Sequence, residues 1–285
     1  MRKQLIVLAG GVIGAILLKH WWDAHSGLFD QRGAIVLWAA LVAMIGFPLS
    51  MLLQVERTRI LLRMSQRRRI LKPILMAHGI NVLLPSMLGD LYEIGALSRE
   101  SGLTKHSVLA RLIHRFGTTI SALLFLSAFA IGTAEPSLGF GLLVVALSGP
   151  LALDAATQWW SRSLRIPGTP PPPLVQPLGA TTTLHHMLLA IIQHSCTAAG
   201  LFFLGIALGE AISPAIAAAM LSLADLVTYL PVPMGGIGVH HWTTTSAAKW
   251  LGDIPAAVIA VNHAWVVVSG IICIGLANWV FDRAK

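Results

Sequence analysis

From Gly33 to Val55 no residue carries a charge. Coiled as a helix rising 1.5 Å per residue, such a run is long enough to cross the ~30 Å hydrocarbon core of a bilayer. It constrains the whole chain, because a helix apolar on every side needs either a large protein core around it or lipid. Composition decides between these. Only 11% of the 285 residues are charged and 55% are hydrophobic, whereas a soluble chain carries about 25% charged residues. That is too little charge to cover a water-facing surface, so an integral membrane protein is expected. Gln4–Trp22, Leu112–Thr133, Ser137–Leu153, Leu184–Gly209 and Ile254–Val280 are further runs of spanning character, which makes six. The first follows Arg2-Lys3 in the manner of a signal peptide, but no small-x-small cleavage site comes after it. Lys19 can snorkel and Trp21-Trp22 read as an interfacial belt, so a retained helix is expected.

Positive charge lies beside the spans. Glu56 to Lys72 holds seven basic residues (Arg57, Arg59, Arg63, Arg67, Arg68, Arg69 and Lys72) against one acid. This is the appearance of a cytoplasmic loop under the positive-inside rule. Such a cluster also attracts anionic headgroups, at about 1 kcal/mol per basic residue near the surface. Arg162 and Arg165 mark a second cytoplasmic loop, in which Pro170 to Pro173 must be extended. The net charge of +8 therefore reports topology rather than an affinity for nucleic acid.

Two apolar stretches are interrupted. Pro73–Leu97 contains Asn81, Pro85, Gly89, Asp90 and Glu93; Ala211–Trp250 contains Asp225, Pro231, Pro233, Gly235, Gly236 and Gly238. Such breaks free backbone groups that lipid cannot satisfy, and they are tolerated at membrane depth only inside protein or along a wet cavity. Both stretches read as re-entrant helical hairpins; two ordinary proline-kinked spans are the plainer alternative. With hairpins, every short basic cluster falls on the cytoplasmic side. The order becomes span, span, hairpin, span, then the same inverted, with Pro85 and Pro233 about half a chain length apart. Interrupted segments at matching positions of inverted repeats point to a transporter's substrate site.

Ionisable side chains within a bilayer are costly and mark function by default. Asp90 and Glu93, three apart, share a helix face, as do Arg111 and Arg115, four apart. The candidate site comprises Asn81, Pro85, Gly89, Asp90, Glu93, Arg111, Arg115, Asp225, Tyr229, Pro233, Gly235 and Gly236. Two arrangements fit it, because a guanidinium donates bidentately to phosphate and to carboxylate alike. In one, the arginines meet a phosphate and the glycines let backbone N–H groups face a headgroup at a half-helix N-terminus. In the other, Asp90, Glu93 and Arg115 pair to hold the hairpin beside the site.

The eleven histidines include His185-His186, His194, His240-His241 and His263. The eight-residue spacing of His186 and His194 would place both on roughly one face, as haem or metal ligands require. No carboxylate-rich or Cys/His motif accompanies them, so interfacial or hydrogen-bonded histidine is expected. Proton coupling through His185, His194 or His263 is the alternative. Cys196 and Cys273 form no zinc or disulfide pattern. There is no Walker motif, G-x-S-x-G, His-Glu-x-x-His or nucleotide fingerprint. No cofactor, metal or catalytic residue is expected.

Two strings carry a family likeness. The first is Asn81-Val82-Leu83-Leu84-Pro85 with Gly89-Asp90, Arg99, Gly102-Leu103 and Arg115. The second is Pro231-Val232-Pro233-Met234-Gly235-Gly236-Ile237-Gly238-Val239. Together, over most of the chain, they resemble the lysylphosphatidylglycerol synthase transmembrane (flippase-like) family. The resemblance implies translocation of a lipid or handling of a lipid-linked substrate. It does not carry over aminoacyl transfer, because no counterpart of the synthases' soluble domain is read here. Two positions depart from the family's pattern: His240-His241 follow the glycine-rich element and His114 precedes Arg115, where the family has acidic residues.

The expectation is an all-α integral membrane domain over 1–285, with about six transmembrane helices and two re-entrant hairpins in inverted halves, 1–135 and 136–285. It would reside in the inner (plasma) membrane with both termini cytoplasmic. It would move an amphipathic lipid (an anionic phospholipid, glycolipid or isoprenoid-linked lipid) between leaflets. A membrane-embedded enzyme or accessory subunit acting on a lipid headgroup is the alternative. Expected partners are the bilayer, the lipid or lipid-linked substrate, and a second copy of the chain or a partner synthase.

Overall fold

The computed structural model describes residues 46–84, 88–163, 179–210, 212–228 and 256–282. The expected first span, the start of the second, Pro85, the run Pro170–Pro173, and Tyr229, Pro233, Gly235 and Gly236 lie outside these residues. Among the described residues are eight helices and no strand. They are α1 (46–62), α2 (Arg67–Leu83), α3 (Leu88–Ser101), α4 (Lys105–Ala134), α5 (Pro136–Ser163), α6 (Ala180–Ala207), α7 (Pro214–Thr228) and α8 (Ala256–Asp282).

Local chemistry sets the boundaries. Helix α1 stops where Arg63 turns left-handed, with φ 53°, and only residues 63–66 separate it from α2. The basic segment read as a loop is therefore mostly helical. Its first member, Arg57, points inward and is 1% exposed. At the end of α2, Leu84 is extended (φ −121°, ψ 170°), as expected of a residue whose successor is a proline. Thr104 caps α4 by accepting from the Ser107 N–H at 3.2 Å, and Ser213 caps α7 by accepting from the Ile216 N–H at 3.2 Å. Pro136 and Pro214 occupy first helical positions, where the missing N–H costs nothing. Helix α6 ends in a Schellman motif: the Glu210 N–H reaches the Gly205 carbonyl and the Gly209 N–H that of Ile206, at 2.9 and 3.0 Å. Gly209 supplies the positive φ, 76°, that this closure requires.

Among the described residues, three helical segments are long and apolar enough to cross a membrane: Ser107–Thr133 of α4, Ala180–Ile206 of α6 and Val261–Trp279 of α8. They coincide with three of the expected spans. Helix α5 contributes a shorter apolar stretch, Pro136–Pro150. Both the surface and the interior depart from those of a soluble protein. Phe140, Val145, Leu188, Ile206 and Trp279 are exposed, while Arg57, Glu93, Arg115, His186 and Gln193 are buried. Apolar groups outside and ionisable groups inside suit lipid surroundings.

Helices α2 and α3 lie against each other on either side of the break after Leu84. The larger packings are reciprocal: α2 rests on α8, and α4 rests on both α5 and α7. Small residues allow the close approach, with Gly79 of α2 against Gly270 of α8.

Glu56 accepts from Arg59 at 2.6–3.0 Å and from Arg67 at 3.1 Å, at the partly exposed end of α1. The Arg59 hydrogen bond holds its carboxyl below the usual carboxylate range, against the opposing effect of burial and with help from Arg67. A lowered folded-state pKa contributes stability above the unfolded value and loses it as pH falls through the lowered one. Glu56→Gln should cost at most about 1 kcal/mol at neutral pH, a difference from the parent that disappears in acid. Thermal unfolding in detergent between pH 7 and 3 measures it. A gap that persisted in acid would contradict the assignment.

Candidate functional site

Helices α1, α2, α3, α4, α6, α7 and α8 surround a cavity of about 280 Å³, room for a polar head but not for acyl chains. Each helix turns at least one polar side chain towards it, and three of them a stripe. On α1 the stripe is Ser50, Gln54 and Arg57, at helical spacing; on α6 it includes Gln193, His194 and Thr197; on α8, Asn262 and Ser269. These stripes are the counterpart of the apolar outer faces.

Five of the expected site residues meet here: Asn81, Asp90, Glu93, Arg115 and Asp225. Arg115 closes a bidentate fork on Glu93, with Nη1 and Nη2 donating to Oε1 and Oε2 at 2.5 and 2.8 Å, and Nη1 also donates to Thr58 Oγ1 at 2.9 Å. Their side chains are 4% and 1% exposed, so this charge-assisted pair is shielded from water. Asn81 bridges the break: its Oδ1 accepts from the Gly89 N–H at 2.8 Å and its Nδ2 donates to Asp90 Oδ1 at 3.1 Å. Gly89 thus fastens α3 to α2, and its N–H is engaged within the pair. Arg111 is set apart from the cavity, donating to the Leu61 carbonyl. Pro85, Tyr229, Pro233, Gly235 and Gly236 lie outside the described residues.

Sequence reasoning missed Arg57. Its Nη1 donates to Gln193 Oε1 at 2.8 Å; its Nη2 donates to Thr119 Oγ1 at 2.8 Å and to Thr118 Oγ1 and the Arg115 carbonyl at 3.0 Å. The side chain was hidden among six other basic residues of the 56–72 segment. Its signal was the spacing from Ser50 and Gln54, which puts three polar groups on one face of an otherwise apolar helix.

The histidines divide in two. His186 is fully buried, with Nδ1 at 3.0 Å from Thr118 Oγ1 and Nε2 at 3.1 Å from the Arg57 carbonyl, so it buttresses the Arg57 network. His114 packs edge-on against it, ring centroids 6.1 Å apart. His194, on the cavity wall, places Nδ1 at 3.2 Å from Asp225 Oδ2. On α2, His78 Nε2 approaches Ser269 Oγ at 3.5 Å.

The arrangement is a polar chamber holding two pairs, Arg115–Glu93 and His194–Asp225, with the Arg57 guanidinium reaching Gln193 beside the second and the Arg115 carbonyl beside the first. Such a chamber can bind and orient a small charged group. Neither the models of known families nor the curated proteins compared with this chain match it.

Proposed function

We propose that this chain is an inner-membrane protein that moves an amphipathic lipid between leaflets. The polar head passes through the cavity while the tails stay in the surrounding hydrocarbon. One observation carries the reading: a cavity bearing two guanidiniums and three carboxylates lies within helices whose outer faces are apolar. Buried ionisable groups at such depth are costly, and they recur along substrate pathways. In this reading α2 and α3 are the arms of the first re-entrant hairpin, and α7 is the entering arm of the second. Six spans complete the inverted design, with both termini cytoplasmic. Two features support it. The α2–α8 and α4–α7 packings exchange partners as a two-fold repeat would, and the strings around Pro85 and Pro233 resemble the flippase-like family named above. An enzyme using Asp90 and Glu93 as acid and base is less well supported, because Asn81 and Arg115 already engage both.

The test is lipid movement in proteoliposomes, followed by dithionite quenching of fluorescent phosphatidylglycerol. The parent should accelerate exchange over protein-free vesicles. Arg57→Met keeps the bulk and removes the charge. It should slow exchange by about tenfold or more, since a hydrogen bond to a charged group contributes about 1.5–3 kcal/mol. Full activity in a folded Arg57→Met protein would remove Arg57 from the headgroup path. No acceleration by the parent would sink the transport reading.

A further inference from the structure

Two helices bring matching stripes to the cavity. On α1 the stripe is Phe47, Ser50 and Gln54; on α8 it is Asn262, Trp265 and Ser269. Both have the spacing i, i+3, i+7, which places their members on one helix face. Both also hold one aromatic ring, one hydroxyl and one amide. The stripes meet through their rings. Phe47 and Trp265 lie edge-on with centroids 6.0 Å apart, and His78 of α2 adds a third ring 5.1 Å from Phe47.

This wall differs from the charged groups in the hydrogen bonds it has left to make. The guanidiniums already donate to protein acceptors, Arg57 to Gln193 and Thr119, Arg115 to Glu93. Gln54 has no hydrogen-bond partner among the described residues. Asn262 is 6% exposed, and its Nδ2 is likewise unpartnered among them. A buried amide hydrogen without an acceptor is costly. Asn262 lines the cavity, so a turn of its amide can present either atom to a ligand.

An amide sets a donor and an acceptor side by side. A hydroxyl both donates and accepts, so adjacent hydroxyls satisfy both atoms of an amide at once. Phe47 and Trp265 are half-buried, and their open ring surface can cover the C–H face of a polyol. A phosphate only accepts and leaves the amide oxygens unmatched. A quaternary ammonium suits the rings but matches neither amide. The cavity, about 280 Å³, is close to the ~300 Å³ lower limit of small-molecule pockets. That is room for a glycerol or one sugar ring.

We propose that the facing stripes of α1 and α8 form a subsite for vicinal hydroxyls, so that the lipid this chain handles carries a glycerol or single-sugar headgroup. This rests on the transport reading above and names the headgroup chemistry which that reading leaves open.

Binding of short-chain lipids to the purified full chain in detergent tests the proposal. Phosphatidylglycerol and phosphatidylpropanol match in charge and nearly in size, and differ by two hydroxyls. The parent should bind the first more tightly, by about tenfold or more, since a site built to hydrogen-bond a hydroxyl rejects the analogue lacking it. Gln54→Met and Asn262→Leu should each bring the ratio of the two affinities towards one. A short-chain monoglucosyl diacylglycerol separates the two sources. Binding as tight as that of phosphatidylglycerol assigns the hydroxyls to a sugar; much weaker binding assigns them to a glycerol beside a phosphate. A purely structural role would weaken both variants towards both lipids and keep the parent's ratio, which overturns the subsite. Equal affinity of the parent for phosphatidylglycerol and phosphatidylpropanol, a result that needs no variant to fold, overturns it too. So does tighter binding of phosphatidylcholine than of phosphatidylglycerol. In each of these cases the headgroup reading stands. Failure of the parent to bind any of the four lipids overturns the headgroup reading and the subsite with it.

Discussion

Replacing Glu93 with alanine should destabilise the protein by about 3–5 kcal/mol, the typical cost of removing one partner from a buried ion pair. Glu93 is 1% exposed and meets Arg115 through both carboxylate oxygens, so its removal breaks both hydrogen bonds of a buried pair at once. Tryptophan fluorescence during thermal unfolding in detergent reads the loss directly. The double replacement Glu93→Leu with Arg115→Met should recover most of it, because apolar substitutes for a buried pair are often neutral or stabilising. A folded double variant then separates two roles. If it moves lipid like the parent, the pair only holds α3 against α4; slowed lipid movement, the expected result, makes it part of the polar path. A single Glu93→Ala variant within about 1 kcal/mol of the parent would show that the burial is not what sets the energetics there.

Gly89→Ala should also destabilise the protein, by a different route. A Cβ on Gly89 would lie 2.1 Å from the Ala77 carbonyl oxygen and 2.5 Å from Asn81 Oδ1. The first of these is backbone in the middle of α2 and cannot rotate away, so α2 and α3 must part. Overpacking of this kind costs about 1–3 kcal/mol, occasionally more. It should also break the Asn81 bridge to Asp90, so lipid movement should fall further than stability alone explains. Gly95 in the same helix is the control: nothing lies within 4 Å of its would-be Cβ, and alanine there should stabilise α3 by about 0.5–1 kcal/mol. Equal melting temperatures for the two alanine variants would contradict the close approach at Gly89.

How much of this was legible beforehand depends on which physical signal each part leaves in the sequence. The uninterrupted runs 112–133, 184–209 and 254–280 announced α4, α6 and α8, because crossing hydrocarbon requires length and apolarity together. The break after Leu84 was equally readable, since a proline restrains its predecessor wherever the chain lies. Charge misled where it was densest. Positive-inside bias explains most of the 56–72 arginines without asking which way each points, and only the helical phase of Ser50, Gln54 and Arg57 separates the buried one. The partner of Arg115 lay within a set of two candidates, phosphate or carboxylate, and folding brings Glu93 to it. His194–Asp225 was not legible as a pair, because its members sit on different helices and neither string hints at the other.

The exchanged packing of α2 on α8 and of α7 on α4 has a kinematic corollary. The chamber lies across both seams, so a shift at one is felt at the other through α6, which packs on α4, α7 and α8. In the transport reading proposed above, such a frame would rock rather than swing two separate doors. An arrangement open to both sides at once would have to part both seams together, which the packing of α6 across them resists.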